Sequence, residues 1–305
     1  MGRYAAKRSL QALLVILAVL VFTFVILRAI GDPARLLVSP EGSRENLEQI
    51  RRALGLDVPL HVQFIRFMGG IVRGDFGNSF TFGRPALGLV VERMPATLLL
   101  TFVALGAAVP VGMLLGMVSA VKRNTIYDNL ATTVAVLGRA VPNFWLSIML
   151  IVLFGATLKW LPPSGYGTAA HIVMPAFALG AGLAAMVARL TRSSLLEVMR
   201  HDYVRTARAK GLSERRVLFG HVLRNGLIPI LTGVVVAIPS LFIGSLVLES
   251  FFGIPGLGSY TIDAINAQDF AVVRAMVYLG AVLYIVGLIL TDVSYTLADP
   301  RIRLE

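Results

Sequence analysis

The stretch Thr191–Arg224, TRSSLLEVMRHDYVRTARAKGLSERRVLFGHVLR, decides how this chain is read. Its basic residues are Arg192, Arg200, Arg205, Arg208, Lys210, Arg215, Arg216 and Arg224, opposed only by Glu197, Asp202 and Glu214. Leu195, Leu196, Met199 and Tyr203 recur at helical spacing, which predicts a helix with one apolar face. Gly211 directly after Lys210 predicts a helix end with a left-handed residue and a cation in the last turn. Ser213 then stands where it would cap a second short helix, with Glu214 in the first turn. The reading is helix, glycine turn, helix, set between two strongly apolar segments.

Those flanks set the class. The 305 residues are 56% hydrophobic and only 15% charged, whereas about a quarter of a soluble domain is charged. Several apolar runs approach the roughly 20 residues that cross a hydrocarbon core of about 30 Å. They are continuous rather than alternating, so the spans are helices and not barrel strands. The chain has no cysteine, which excludes disulfides and thiol chemistry. A net charge of +11 fits cytosolic loops facing anionic lipid. The loop loosely imitates a helix-turn-helix DNA reader, but its second helix is short and leads straight into a span, so no nucleic-acid partner is expected.

Outward from the loop, six spans are expected, near residues 10–27, 95–121, 130–158, 172–190, 227–248 and 276–297. The third is interrupted by Arg139 and Pro142. The first is longer than a signal-peptide core and lacks a small-x-small cleavage site, so it is expected to be retained. Residues 1–30 thus carry span one, and 31–94 form a small external segment with two short helices. Residues 95–305 form a core of spans two to six, including the loop 191–224. Six spans put both termini on one side. Basic residues concentrate at the N-terminus, near Lys122, in 191–224 and at the C-terminus, which makes that side cytosolic.

Catalytic patterns are lacking. None of the lysines lies in a G-x-x-x-x-G-K-[ST] phosphate loop, so this chain is not itself an ATPase of that type. His61, His171, His201 and His221 have no metal-ligand spacing. No nucleophile elbow or paired carboxylates occur, and no enzyme activity is expected. Arg139 is an ionisable residue inside a span. It either lines a solute path or snorkels or pairs near the cytosolic end. Pro142, Phe144, Ser240 and Glu249 complete the candidates for a translocation path. Asp263 and Asp292 are read as rim or pairing residues.

Asp202-Tyr203-Val204-Arg205-Thr206-Ala207-Arg208-Ala209-Lys210-Gly211-Leu212-Ser213 resembles the EAA loop of ABC importer permeases. Ala207 lies four before Gly211, as in the general motif. Arg205-Thr206 replace its Glu-Ala and Arg224 replaces its Pro, departures found in the oligopeptide/dipeptide/nickel branch. The rest of the chain is similar to the B-type subunit of that branch. The matching segments are Gly31-Asp32-Pro33, Leu54 to Leu60 with Gln63, Gly74-Asp75-Phe76-Gly77-Asn78-Ser79, Pro142 with Phe144-Trp145, Trp160-Leu161-Pro162, Pro255-Gly256-Leu257-Gly258 and Asp299-Pro300-Arg301-Ile302-Arg303.

The resemblance implies an all-α, six-helix type I importer transmembrane domain with a small external segment after helix 1. It implies a C-type permease partner, two ATP-binding subunits or a fused pair that would bind ATP and Mg, a solute-binding protein, surrounding lipid and a peptide substrate. It implies a coupling helix within Arg205–Phe219, with Arg205, Ala207, Ala209, Gly211, Leu212, Ser213 and Arg216 meeting the ATPase. Ala207, Gly211 and Leu212 are expected at the centre of that contact. Alternatives are the same architecture carrying nickel chelates, glutathione, opines or oligosaccharides, an ATP-independent transporter or channel, and an intramembrane enzyme.

Overall fold

Inside lipid every backbone N–H needs a partner within its own segment, so apolar runs close into helices. The computed structural model describes residues 2–30, 43–53 and 56–298. Gly31-Asp32-Pro33, Leu54-Gly55 and Asp299-Pro300-Arg301-Ile302-Arg303 lie outside these residues, as does the side chain of Asp292. In order, the helices are α1 (Gly2–Ile30), α2 (Arg44–Ala53), α3 (Leu60–Val72), α4 (Ala86–Val121), α5 (Ile126–Ala140) and α6 (Asn143–Leu150, continued by a π-helical turn, Ile151–Thr157). They are followed by α7 (Ala169–Val198), α8 (Asp202–Ala209), α9 (Glu214–Phe252), α10 (Leu257–Asn266) and α11 (Phe270–Ala298). Among the described residues the only β feature is an isolated bridge, Asn78 to Pro85.

Helices α4, α7, α9 and α11 are long and apolar enough to cross a membrane, and α5 with α6 makes a fifth if the pair is one broken span. Helix α1 has 29 residues with its apolar run at Leu13–Ile26, and at 1.5 Å per residue it is about 44 Å long. Counting it, with its shorter apolar run, and the α5–α6 pair as one span each gives the expected six.

Two features depart from expectation. The interruption in span three is a turn of 103° between α5 and α6. Val141 (φ −80°, ψ 122°) and Pro142 (φ −62°, ψ 137°) are both extended. Proline pushes its predecessor out of the helical region and cannot donate a helical hydrogen bond, so two consecutive residues redirect the chain. The second short helix expected after Gly211 is not separate. It is the head of α9, which runs unbroken for 39 residues through a π-helical turn at Val217–Leu223. No proline lies between Ser213 and Pro229, and the helix carries Pro229 and Pro239 within it.

The chain divides into two compact units, residues 1–95 with 259–285, and residues 96–258 with 286–305. In the first, the Gly74–Ser79 motif is tied to the start of α11. The Ser79 hydroxyl donates to the buried Asp269 carboxylate, which also accepts from the Val272 N–H at 3.3 Å. The Phe76 and Tyr278 rings pack at 5.1 Å.

In the second unit, Leu100 of α4, Leu179 of α7 and Ile230, Leu248 and Phe252 of α9 form a fully buried core. Glycine permits the α4–α7 contact. A Cβ on Gly112 would lie 2.5 Å from the Ala184 carbonyl oxygen, and one on Gly116 would lie 2.5 Å from that of Ala188. Such close backbone approach is how helices pack where burial from water gives no drive.

Candidate functional site

Helix α7 ends at Val198, and His201 (φ −70°, ψ 146°) turns the chain into α8. The expected single apolar face is therefore broken: Leu195 is buried at the end of α7, whereas Tyr203 is exposed on α8. At its far end α8 closes in a Schellman motif. The Leu212 N–H donates to the Ala207 carbonyl at 3.4 Å and the Gly211 N–H to the Arg208 carbonyl at 2.9 Å. Gly211 supplies the left-handed residue, with φ +77°. Ser213 occupies the N-cap position of α9 with extended backbone, but its side chain makes no cap hydrogen bond, contrary to expectation. Glu214 is used differently too. Its carboxylate takes a forked pair from Arg208, Nε to Oε1 at 2.8 Å and Nη2 to Oε2 at 3.2 Å. This pair spans the glycine turn and clips the end of α8 to the start of α9.

The two faces of α8 differ sharply. Val204 and Ala207 are buried against Ala120, Leu195, Val198, Val217 and Val222. Leu212 packs on the edge of the same cluster. Ala207 and Leu212 therefore hold the helix to the stems of α7 and α9 and do not point outward. The outward surface includes Asp202, Tyr203, Arg205, Thr206, Arg208, Ala209, Lys210 and Gly211, followed by Ser213 and Arg216. Sequence spacing located this element but not its orientation, because the residues that bury Val204 lie on the two neighbouring helices and on α4.

Just before α8, a polar node fixes the end of α7. Arg192 reaches the buried Asp128 with Nε on Oδ1 and Nη2 on Oδ2, both at 3.0 Å. Asp128 also accepts from the Ser119 hydroxyl and, at 3.0 Å, from the Asn124 N–H. One carboxylate thus joins α4, the 122–125 turn, α5 and α7. Nothing in the sequence flagged this pair, whose members stand 64 residues apart.

The other candidates are dispersed. Arg139 is exposed in the last turn of α5, immediately before the bend. Pro142 makes the bend, and Phe144 is half exposed one turn later. Helix α6 packs on α9, where a Cβ at Gly244 would lie 3.9 Å from the Asn143 amide nitrogen. Ser240 is exposed one turn away on α9, its hydroxyl bonded to the Ala237 carbonyl at 2.7 Å. Glu249 is fully buried, and its carboxylate accepts from the Gly258 N–H at 2.6 Å. The Thr97 hydroxyl accepts from the Leu257 N–H at 2.8 Å. Together they satisfy the first donors of α10, a capping duty. Gly256 is required beneath, since a side chain there would strike the Glu249 carboxylate.

Residues 112–304 match the family described as binding-protein-dependent transport system inner membrane component, and residues 1–101 match the N-terminal family of the same membrane components. The oligopeptide transport system permease protein AppB of Bacillus subtilis (strain 168) is 38% identical over 99% of this chain and 100% of its own length. The glutathione transport system permease protein GsiC of Salmonella paratyphi A is 42% identical over 99% of both chains. Among solved structures, a chain of the inward-facing MetNI methionine ABC transporter aligns with a TM-score of 0.55 at 20% identity, covering 69% of this chain and 96% of that one. A chain of an amino acid ABC transporter aligns with a TM-score of 0.52 at 17% identity, over 70% and 94%. The fold is thus shared with these ABC transporter chains, and the chain belongs to the family of binding-protein-dependent transport system inner membrane components.

Proposed function

We propose that this permease is one of two transmembrane subunits of an ATP-driven peptide importer, and that α8 is the element on which an ATPase subunit acts. The observation that carries this is the division of α8 into a bolted face, Val204 and Ala207, and a free face, Tyr203, Arg205 and Thr206. A helix held this way cannot roll on its stems. A push on its outer face passes into α7 and α9, and packed helices respond by moving between discrete arrangements. Coupling requires that the ATP-bound partner favour one of those arrangements over the other.

In this reading the loop 191–224 and both termini are cytosolic, as the distribution of basic residues supports. ATP and Mg are held by the partner subunits. A C-type permease completes the pore, and a solute-binding protein delivers cargo on the far side. The cargo class rests on the two relatives, whose names specify oligopeptide and glutathione, both peptides. The solute path follows the bend, with Arg139, Pro142 and Phe144 on one wall and Ser240 on the neighbouring helix.

The test is reconstitution of the co-expressed subunits in vesicles with the binding protein and radiolabelled peptides. ATP-dependent accumulation of di- to oligopeptides supports the reading. Accumulation without ATP, or of a nickel chelate or oligosaccharide in place of peptides, would overturn the coupling or the cargo respectively.

A further inference from the structure

Helix α3 has two faces, and only one is covered. Gln63, Phe64, Phe67 and Ile71 fall together on one side and are buried or half-buried. Ile65 and Val72, with the half-buried Met68 between them at i, i+3 and i+7, form a second apolar stripe on the other side. Ile65 is 67% exposed and Val72 85% exposed. Arg66 and Arg73, seven residues apart, lie together along one edge of that stripe and are exposed.

The covered side fixes the height of α3. Phe64 meets Phe24 of α1 edge to face and Phe67 packs on it at a tilt, with ring centroids 5.3 and 5.6 Å away. Phe24 lies inside the apolar run Leu13–Ile26, two residues from its end. Phe67 also sits 5.9 Å beneath the guanidinium of Arg274, near the start of the membrane-crossing part of α11. These contacts set α3 beside the ends of two apolar helical runs, the level at which a hydrocarbon core gives way to headgroups if both helices cross the membrane.

We propose that α3 lies in the plane of the membrane surface, with Ile65, Met68 and Val72 in the acyl boundary and Arg66 and Arg73 at the phosphates of anionic lipid. A helix with an apolar stripe and flanking cations binds in this way through buried apolar area together with attraction to anionic headgroups. The effect is to anchor the segment between the first two spans to the bilayer, so that it does not drift as the spans move. The inference depends on α1 crossing the membrane and not on the cargo or on ATP coupling.

The absence of native cysteine allows single spin labels to be placed on the full-length chain in vesicles of phosphatidylethanolamine and phosphatidylglycerol. Labels at Ile65→Cys and Val72→Cys should collide several-fold more with oxygen than with a water-soluble nickel chelate. A label at the exposed Asp57→Cys should show the reverse. A Val72 label that favours the nickel chelate, or one shielded from both reagents by a covering protein, would overturn the proposal. Adding Arg66→Gln and Arg73→Gln should move the Val72 label toward water in these vesicles but not in pure phosphatidylcholine. An equal response in both would overturn the role of anionic headgroups. Peptide uptake plays no part in either readout, so the result stands apart from the transport reading.

Discussion

At Gly211 the backbone holds φ +77°, while a Cβ added there would meet nothing within 4 Å. The cost of Gly211→Ala is therefore conformational, about 1–2 kcal/mol for forcing an L side chain into the left-handed region. Gly211→Trp carries a similar strain but projects its bulk outward, toward the proposed ATPase. Alanine should lower the melting temperature slightly and leave most uptake intact, whereas tryptophan should abolish uptake while the protein still inserts. Equal uptake by the two variants would remove the docking role from this turn. Asp128 offers a second test. Asp128→Asn takes the anion from Arg192, and breaking a buried pair from one side typically costs about 3–5 kcal/mol. Arg192 keeps 34% of its side-chain surface exposed, so a loss of about 2 kcal/mol is expected. Thermal unfolding in detergent measures it. If the node serves as an ion pair, Asp128→Arg with Arg192→Asp should recover part of that loss, and no recovery would assign the role to the Ser119 and Asn124 hydrogen bonds.

As an element, α8 acts through its two faces, and they should respond oppositely. A photo-crosslinker at Tyr203 or Thr206 should capture a nucleotide-binding subunit in the assembled complex, while one at Val204 should capture none. Val204→Ala should cost about 1–2 kcal/mol through lost burial, without being needed for the crosslink from Thr206. Capture from Val204 and not Thr206 would reverse the assignment. The end of α8 was legible because its signals are local: a cation, and a glycine at the position where a Schellman motif needs one. The apolar spacing Leu195, Leu196, Met199 and Tyr203 misled, since the first three close α7 and Tyr203 lies on the exposed face of α8. Ser213 misled because an N-cap residue type does not ensure a cap bond. Glu214, read as a favourable charge at a helix start, instead fixes Arg208. The continuity of α9 was hidden by the charge change near Arg224, which alters solvent and not backbone geometry. The Asp128–Arg192 node joins residues 64 apart, which no periodicity records, and the capping use of Glu249 depends on the turn that brings Gly258 back to it nine residues later.

For the whole molecule, the bend between α5 and α6 decides the topology. Either the pair crosses the membrane as one broken span or it enters and returns on the same side. The charge pattern favours crossing. Lys122 and Arg123 precede α5, while the turn after α6 holds only Lys159. If it crosses, the connection before α5 and the one after α6 face opposite compartments. Asp57 and Lys210 are then separated by three spans and also lie on opposite sides. If it returns, two spans separate them and they share a side. With no native cysteine, single substitutions at Asp57, Asn124, Ser164 and Lys210, all exposed, can be probed with a membrane-impermeant maleimide on intact cells. Labelling at 57 and 164 without prior permeabilisation, and at 124 and 210 only after it, is the expected outcome. Labelling of 124 and 164 from the same side would make the pair a re-entrant hairpin. That result would leave α8 and the segment holding α3 facing one compartment, and ATP could not then act on α8 from the side opposite the solute-binding protein.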